Sequence, residues 1–313
     1  MRFYLAPLEG LTTYIYRRVY HDVYGSMDKY FTPFVVPHSH KGMAPREWNE
    51  LNPENNKGMN VVPQVLTNNA DDFVKTAKML QDYGYKEVNL NVGCPSKTVV
   101  TKGRGSGFLR DSKALDEFFA NVFETISGSD IKVSVKTRIG LESPLEFEDI
   151  LKVYDKYPIS ELIIHPRLQI DYYKNTPNWN VFQDAVERSK HTLCYNGDIF
   201  YENDYVRFKE RFPQVECVML GRGIIAFPDL VDRIKGVAQP EDKYKKLKHF
   251  HDELVAAYWD YMPDDKNVLF KMKEFWSYCQ HNFPDDTKFW KKIKKCQKLD
   301  VYREIIENAF DGK

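Results

Sequence analysis

Short runs of apolar residues alternate along the chain with longer stretches in which apolar residues recur every three or four positions. Runs of the first kind are typical of buried strands, and the second spacing is typical of amphipathic helices. The alternation is most regular in the second half. Strands are predicted there at 132–137, 161–165, 191–195 and 217–220, followed in turn by helices at 144–157, 179–188, 202–212 and 228–235.

The first half follows the same rhythm, with strands predicted at 3–6, 30–36, 60–65 and 87–91 and helices at 13–23, 71–83 and 111–126. The polar stretch 38–58 has no such pattern and is predicted to be a mobile loop. Eight strands alternating with helices over about 235 residues match the usual length of a (β/α)8 TIM barrel, which we predict for residues 1–238. A doubly wound open sheet is the alternative, although the GxGxxG dinucleotide motif does not follow the first strand.

The pattern changes after residue 238, because no further strand is indicated and two or three helices are predicted. We interpret residues 239–313 as a small all-helical domain. Lysines cluster at 243–248 and 288–295, and Phe289 and Trp290 interrupt the second cluster. A lysine-rich helix is usually a solvated face, but interleaved aromatic residues make a nucleic-acid surface a fair alternative.

Composition narrows the class of protein. Lys+Arg and Asp+Glu number 45 each, so the net charge is zero and an acidic partner would have to meet local clusters. The five cysteines are widely spaced without CxxC or His/Cys metal spacing, which predicts reduced thiols and no metal site. No signal peptide or transmembrane stretch is apparent, so we expect a cytoplasmic protein without a membrane partner, and a monomer.

Polar or conformationally special residues follow nearly every predicted strand. In a TIM barrel the carboxyl ends of the strands form one open face, where catalytic residues lie. The residues predicted at this face are Pro7 and Glu9, Gln64, Asn91 and Cys94, Lys136 and Arg138, His165 and Arg167, Asn196 and Asp198, and Gly221 and Arg222.

Cys94 is the most unusual of these residues, since Gly93 and Pro95 on either side predict a turn that projects the thiol. A buried cysteine that only packs is the commoner alternative. Lys136 ends a strand whose inward neighbours are predicted to be apolar, so its ammonium group would be partly desolvated. It could stabilise an anion on a cofactor ring or act as a Schiff-base lysine.

The loops 196–198 and 221–223 follow the seventh and eighth strands, where barrels of this type commonly bind phosphate. Their small residues would let backbone N–H groups approach a ligand, and Arg222 can grip an anion. A phosphate monoester is the predicted ligand. Either loop alone could also be an ordinary glycine turn.

Five segments, 6–10, 89–97, 135–140, 196–198 and 221–223, together resemble the tRNA-dihydrouridine synthase family. The resemblance implies an FMN enzyme that reduces the C5–C6 double bond of a uridine in tRNA, with NADPH or NADH as reductant. It implies that Cys94 protonates C5, a task that suits a thiol whose ordinary pKa is about 8.5. It also implies that the helical domain contacts tRNA.

The resemblance assigns further roles. Asn91 would lie between flavin and uracil, and Arg138 and Arg167 would face RNA or the cofactor phosphate. Segment 102–107 is then predicted to be a mobile lid that carries Cys94. The residues implied to hold FMN are Pro7, Glu9, Gln64, Lys136, His165, Asn196, Asp198, Gly221 and Arg222.

Two departures from the family pattern weaken part of this assignment. Pro166 stands where the family commonly has a small residue, and Thr32-Pro33-Phe34 ends the second strand where a glutamate is frequent. Tyr172 and Tyr173 could stack on a splayed base or be ordinary surface tyrosines.

Two alternative functions stay open. An FMN barrel acting on a free pyrimidine or another small molecule, like dihydroorotate dehydrogenase, is disfavoured by the basic helical tail. A tRNA-binding protein without turnover is disfavoured by the presence of Cys94 and Lys136. The sequence does not indicate which uridine is modified.

Overall fold

The computed structural model of the protein describes residues 1–37, 43–238, 240–284 and 288–313. In these residues a single all-parallel sheet forms the centre of the molecule. Its strands are β1 Arg2–Leu5, β2 Lys29–Phe31, β3 Val61–Val62, β4 Gln64–Val65, β5 Glu87–Val92, β6 Lys132–Arg138, β7 Leu162–His165, β8 Leu193–Tyr195 and β9 Cys217–Leu220.

The sheet closes on itself at Pro63. The strand order is β3-β2-β1-β9-β8-β7-β6-β5-β4, so β3 and β4 stand at its two formal edges. Only Pro63 separates them in the chain, and its carbonyl accepts a hydrogen bond from Asn89 N at 2.8 Å. Because proline has no N–H to donate, the strand is interrupted there. The two halves make one of eight strand positions, and the predicted TIM barrel is confirmed.

Helices cover the outside of the barrel. Asn69, Asp111 and Asn178 accept hydrogen bonds from backbone N–H groups at the starts of α3, α5 and α7, so these helices begin where a capping side chain is available. The barrel helices are α1 Tyr14–Val23, α2 Pro45–Leu51, α3 Ala70–Asp82, α4 Lys97–Val100, α5 Ser112–Thr125, α6 Glu146–Tyr154, α7 Trp179–Arg188, α8 Glu202–Arg211, α9 Arg222–Ala226 and α10 Leu230–Ile234.

The prediction of a mobile loop at 38–58 is wrong for the part that the structure describes. Residues 43–58 include α2 and a 3₁₀ turn, and residues 38–42 lie outside the described residues. The buried Arg17 holds this segment, donating to Glu50 Oε2 at 2.7 Å and to Asn56 Oδ1 at 2.9 Å. Pro45 in the first turn and Glu47 in a capping position were local signals of the helix.

Four α-helices form the C-terminal part within the described residues, rather than the predicted two or three: α11 Lys243–Tyr261, α12 Asp265–Cys279, α13 Phe289–Lys295 and α14 Leu299–Phe310. Phe250 packs on Tyr16 and Tyr20 of α1 and on Tyr24 just after it, with ring centroids 5.4 to 6.1 Å apart. The helices therefore share an aromatic core with the barrel. A domain division between 238 and 239 stays a prediction.

Candidate active site

The barrel interior has a polar half and an apolar half. Because successive side chains of a strand point to opposite faces, β5 and β6 direct Asn89, Asn91, Ser134 and Lys136 inward while their valines and Leu90 face the helices. Gln64 of β4 belongs to the same polar half. The other strands fill the interior with a separate apolar cluster of Tyr4, Ala6, Phe31, Val62, Ile163, Cys194, Cys217 and Met219.

A chain of side-chain hydrogen bonds crosses the polar half. Asn91 Nδ2 donates to Gln64 Oε1 at 2.7 Å, and Gln64 Nε2 donates to Asn89 Oδ1 at 2.8 Å. Asn89 Nδ2 then donates to Ser134 Oγ at 2.9 Å. All four residues are buried, so each amide depends on its neighbours rather than on water for its hydrogen bonds. Gln64 and Asn91 were predicted from the sequence, and Asn89 and Ser134 were missed.

The turn that carries Cys94 is fixed at both ends. Asn91 Oδ1 accepts from the backbone N–H groups of Gly93 and Cys94 at 3.0 and 2.9 Å. Ser106 donates to the Cys94 carbonyl through its backbone N–H at 3.0 Å and its hydroxyl at 2.9 Å. A Cβ at Gly105 would lie 2.7 Å from the same carbonyl oxygen. The segment predicted as a mobile lid is thus folded against the turn.

The environment of Cys94 favours the neutral thiol. Burial raises the pKa of Cys94, while a hydrogen bond from the Ser96 backbone and the charges of Lys136 and Arg138 oppose this rise. The side chain is only partly buried, so the thiol can reach a ligand at the barrel mouth. A protonated, accessible thiol is the state that a general acid requires.

Arg138 joins the cysteine turn to the loop after β7. Its Nε donates to Gly93 O at 3.0 Å, its Nη1 to Leu168 O at 2.7 Å and its Nη2 to Tyr172 O at 2.9 Å. Gln169 Nε2 adds a bond to Pro95 O at 3.1 Å. Three Arg138 N–H groups are therefore bound to backbone carbonyls. Its predicted contact with RNA or a cofactor phosphate stays a prediction.

Lys136 lies in a cavity beside these groups. Burial, followed by the charge of Arg138, lowers its pKa to about 8. No acceptor among the described residues binds its ammonium group. The predicted reason for desolvation was wrong, because its inward neighbours on β6 are the polar Ser134 and Arg138, and Val133 and Val135 face outward.

Two arginines meet one carboxylate, Asp198, which lines the same cavity as Lys136. Asp198 Oδ1 accepts from Arg222 Nη2 at 2.6 Å and from Arg167 Nη1 at 3.0 Å. Arg167 Nη1 also lies 3.0 Å from His165 Nε2. Burial, with Arg138 and Lys136 next in effect, lowers the pKa of His165 well below its ordinary value. His165 is therefore neutral, and because Nε2 accepts from a guanidinium, the proton lies on Nδ1.

Packing explains two of the glycines in the predicted phosphate loops. A Cβ at Gly197 would lie 2.0 Å from the Tyr195 hydroxyl, and one at Gly223 would lie 1.9 Å from Ile199 O. Gly223 belongs to α9, a short helix that the sequence did not predict. Short helices of this kind often complete a barrel phosphate site. The glycines alone do not identify a ligand.

The cavity encloses about 50 Å³ and is lined by the backbone and side chains of these loops. Tyr173 covers it, with its ring centroid 4.5 Å from the Arg222 guanidinium carbon. Glu9 is on the exposed rim, where it pairs with Arg46. Asn196 is fixed by a bond from Nδ2 to Met219 O at 2.8 Å. The lining residues are Ala6, Pro7, Leu8, Lys136, His165, Tyr173, Asn196, Gly197, Asp198, Phe200, Gly221, Arg222 and Gly223.

The described residues contain neither a metal-binding cluster nor a membrane-spanning helix. No group of three or more His, Cys, Asp or Glu side chains among them has the arrangement of a metal site. No helix in the described part of the chain is long and apolar enough to cross a membrane.

Solved structures with the same barrel include two enzymes of low sequence identity. Morphinone reductase aligns with a TM-score of 0.54 at 14% identity, covering 77% of this chain and 88% of that one. The old yellow enzyme homologue from Zymomonas mobilis aligns with a TM-score of 0.54 at 14% identity, covering 76% and 89%. At these identities the likeness establishes the fold class alone, a parallel α/β barrel.

The sequence itself identifies the family. Residues 4–311 match the family model described as Dihydrouridine synthase (Dus). A tRNA-dihydrouridine(16) synthase from Shewanella oneidensis is 25% identical over 99% of this chain and 98% of its own length. Another from Pseudomonas putida is 27% identical over 83% and 81%. The chain belongs to the dihydrouridine synthase family of flavin-dependent, tRNA-modifying oxidoreductases.

Proposed function

We propose that this protein reduces a uridine of tRNA to dihydrouridine with FMN as its bound flavin, NADPH or NADH as reductant and Cys94 as the proton donor. The observation that carries this proposal is the placement of a protonated thiol beside an ammonium group at one barrel mouth. Asn91, which anchors the Cys94 turn, is the register partner of Lys136 on the neighbouring strand.

The thiol completes the reduction of the double bond. Bound FMN would supply the hydride that adds to uracil C6. The S–H bond of Cys94 breaks as a C–H bond forms at C5, which leaves a thiolate. The charges of Lys136 and Arg138, which oppose the rise that burial causes in the pKa of Cys94, stabilise that thiolate. A proton from solvent then restores the thiol before the next turnover.

The donor set fits a flavin mononucleotide. The buried Lys136 ammonium lacks a hydrogen-bond acceptor among the described residues and suits the electron-rich edge of a flavin ring. The Nδ1–H of neutral His165 and the guanidinium of Arg222 would donate hydrogen bonds to oxygens of the flavin ring or of its phosphate. Pockets that bind small molecules and cofactors have volumes of about 300–1,000 Å³. The 50 Å³ cavity must therefore widen, and the exposed ring of Tyr173 is the part that would move.

The C-terminal helices would bind the body of the tRNA. Lys291, Lys292, Lys294 and Lys295 on α13 are all exposed, whereas Phe289 is buried against Trp276 with ring centroids 4.8 Å apart. Phe289 is thus part of the core and does not stack on RNA, and the other interleaved aromatic residue, Trp290, is half-buried against the same core. The lysines alone support a phosphate-binding face. A target base would have to leave its stack to reach the barrel mouth.

Uridine 16 is the position we propose to test first. The relatives from Shewanella oneidensis and Pseudomonas putida carry that position in their names and match most of this chain. The match to the first extends through the C-terminal helices, which would orient the tRNA.

Mass mapping of tRNA tests the proposal. Purified protein should be yellow and release FMN when denatured, and it should oxidise NADPH or NADH. It should form dihydrouridine at one position in tRNA taken from cells that lack this protein. Free uridine and dihydroorotate serve as matched small-molecule substrates. Turnover of these without activity on tRNA would replace the proposal with the small-molecule alternative, and a protein that binds no flavin would refute both.

A further inference from the structure

We infer that Ser134 and Asn89 are positioning residues, which fix the amide orientations of Gln64 and Asn91 and through them the turn that carries Cys94. The inference rests on the proposed function for its link to turnover. Neither residue contacts the thiol. Both lie fully buried on neighbouring strands in direct register, Asn89 opposite Ser134.

The orientation of the hydrogen-bond chain begins at the turn. The backbone N–H groups of Gly93 and Cys94 can only donate, so Asn91 must present Oδ1 to them. Its Nδ2 then faces Gln64, which must present Oε1. Gln64 Nε2 consequently faces Asn89 Oδ1, and the Asn89 amide must end the chain as a donor.

Ser134 supplies the acceptor that this orientation needs. The Asn89 Nδ2–Ser134 Oγ distance is 2.9 Å, and the hydroxyl is fully buried. Without that oxygen, the final NH₂ group would lose its acceptor at a fully buried position, which favours rotation of the Asn89 amide. Rotation would direct NH₂ against the NH₂ of Gln64, so the two donors would repel each other. The disturbance would pass to Asn91 and the cysteine turn.

A serine at position 134 is explained by the amide chain that ends on its hydroxyl. An apolar side chain there would extend the apolar half of the interior and satisfy packing, as Ile163 does on the next strand. It could not accept a hydrogen bond. The hydroxyl oxygen is therefore the feature of this residue that the cysteine turn requires.

The test compares Ser134→Thr with Ser134→Val, two variants of nearly equal shape of which only the first keeps an acceptor. Ser134→Ala is made beside them, and Ser160→Ala is the control. Ser160 donates to Val133 O at 3.0 Å just before β7, at the other end of the barrel. Folding is checked by thermal melting, and the Thr and Val pair isolates the hydroxyl if both lose similar stability.

Three readouts are measured: kcat and KM for tRNA, the bound flavin spectrum, and the rate at which iodoacetamide alkylates Cys94. We expect Ser134→Val and Ser134→Ala to lower kcat about tenfold, less than the hundredfold that a 1 Å misplacement can cost. KM should change by less than roughly twofold, since tRNA binding is remote from this chain. Ser134→Thr and Ser160→Ala should resemble the wild type. Alkylation and the flavin spectrum should shift in the Val and Ala variants only.

Equal kcat, alkylation and spectra for the Thr and Val variants would overturn the inference. Alkylation requires no tRNA, so it tests the positioning role even if the wild type makes no dihydrouridine. A wild type without dihydrouridine activity would refute the proposed function, and a difference in alkylation between the Thr and Val variants would then still support the role of Ser134.

Discussion

The two halves of the barrel interior share one backbone architecture and have opposite chemistry. In the apolar half, side chains such as Ile163 and Met219 need only to fill space. In the polar half, Gln64, Asn89 and Asn91 need partners with the correct donor or acceptor at each contact. Buried polar groups are therefore kept where they orient a reactive turn, because each one is costly unless it is hydrogen-bonded.

Lys136 is the exception within the polar half. The amides satisfy one another, whereas its ammonium group finds no acceptor among the described residues and its pKa falls to about 8. A buried charge without a partner destabilises the fold and is a frequent mark of a functional site. The apolar half thus contributes stability, and the polar half contributes chemistry at some cost in stability.

The largest expected effect is at Cys94. Cys94→Ala should lower dihydrouridine formation about 10²- to 10⁴-fold, the usual contribution of a general acid. Flavin binding and reduction by NADPH should persist, because the thiol is not needed for either step. Stopped-flow absorbance measures flavin reduction, and mass analysis of tRNA measures dihydrouridine formation. Cys279→Ala, at a fully buried thiol in α12, is the matched control for thiol loss.

Lys136→Met should slow turnover and at the same time raise the free energy of unfolding. Loss of a preorganised cation is expected to slow turnover by about 10²–10³. Stability at pH 7 should rise by about 3 kcal/mol, since the variant buries no ammonium group. The opposite result in urea unfolding, a loss of stability, would show that the charge is compensated in the native protein.

The pH dependence sharpens this prediction. The folded pKa of Lys136 is about 8, below the ordinary 10.5, so the native state loses this proton first. The cost of the buried ammonium group therefore applies fully below pH 8 and diminishes as pH rises towards 10.5. The stability difference between Lys136→Met and wild type should shrink over that interval. Urea unfolding at about pH 7, 8.5 and 10 measures it.

Met219→Ala tests the apolar half. Its side chain is fully buried, so truncation should cost about 2–5 kcal/mol of unfolding free energy. The remaining folded protein should keep its flavin spectrum and its Cys94 alkylation rate. Met219→Leu conserves volume and should cost less than about 1.5 kcal/mol. A change in alkylation for the Ala variant would mean that the two halves are coupled.

The smallest effect is expected outside the barrel. Lys291→Gln with Lys295→Gln should weaken tRNA binding and reduce its salt slope by about two, roughly one for each phosphate that the variant no longer neutralises. NADPH oxidation should not change. Lys75→Gln with Lys78→Gln on α3 is a matched pair of exposed lysines on the barrel. Equal salt slopes in the two pairs would contradict the role of α13.

The barrel, the family and most of the residues at the barrel mouth could be predicted from the sequence alone. Hydrophobic periodicity is a local property of the sequence, so it can be recognised before the packing is known. It locates the strand ends, and the glycines, Cys94 and Lys136 lie there. Even α2 had local signals in Pro45 and Glu47, although its polar composition concealed them. Asn89 could have been predicted too, because it lies two residues before Asn91 on the same face of β5.

Which groups contact one another could not be predicted without the folded structure. It placed Ser134 at the end of an amide chain, bound Arg138 to three backbone carbonyls, folded the expected lid against Cys94 and buried Phe289 in the helical core. These contacts join residues far apart in the chain, and hydrogen-bond direction depends on which atoms face each other. The spacing of apolar residues predicts each helix or strand. The hydrogen-bond partners of a buried polar group, in contrast, come together only when the sheet closes.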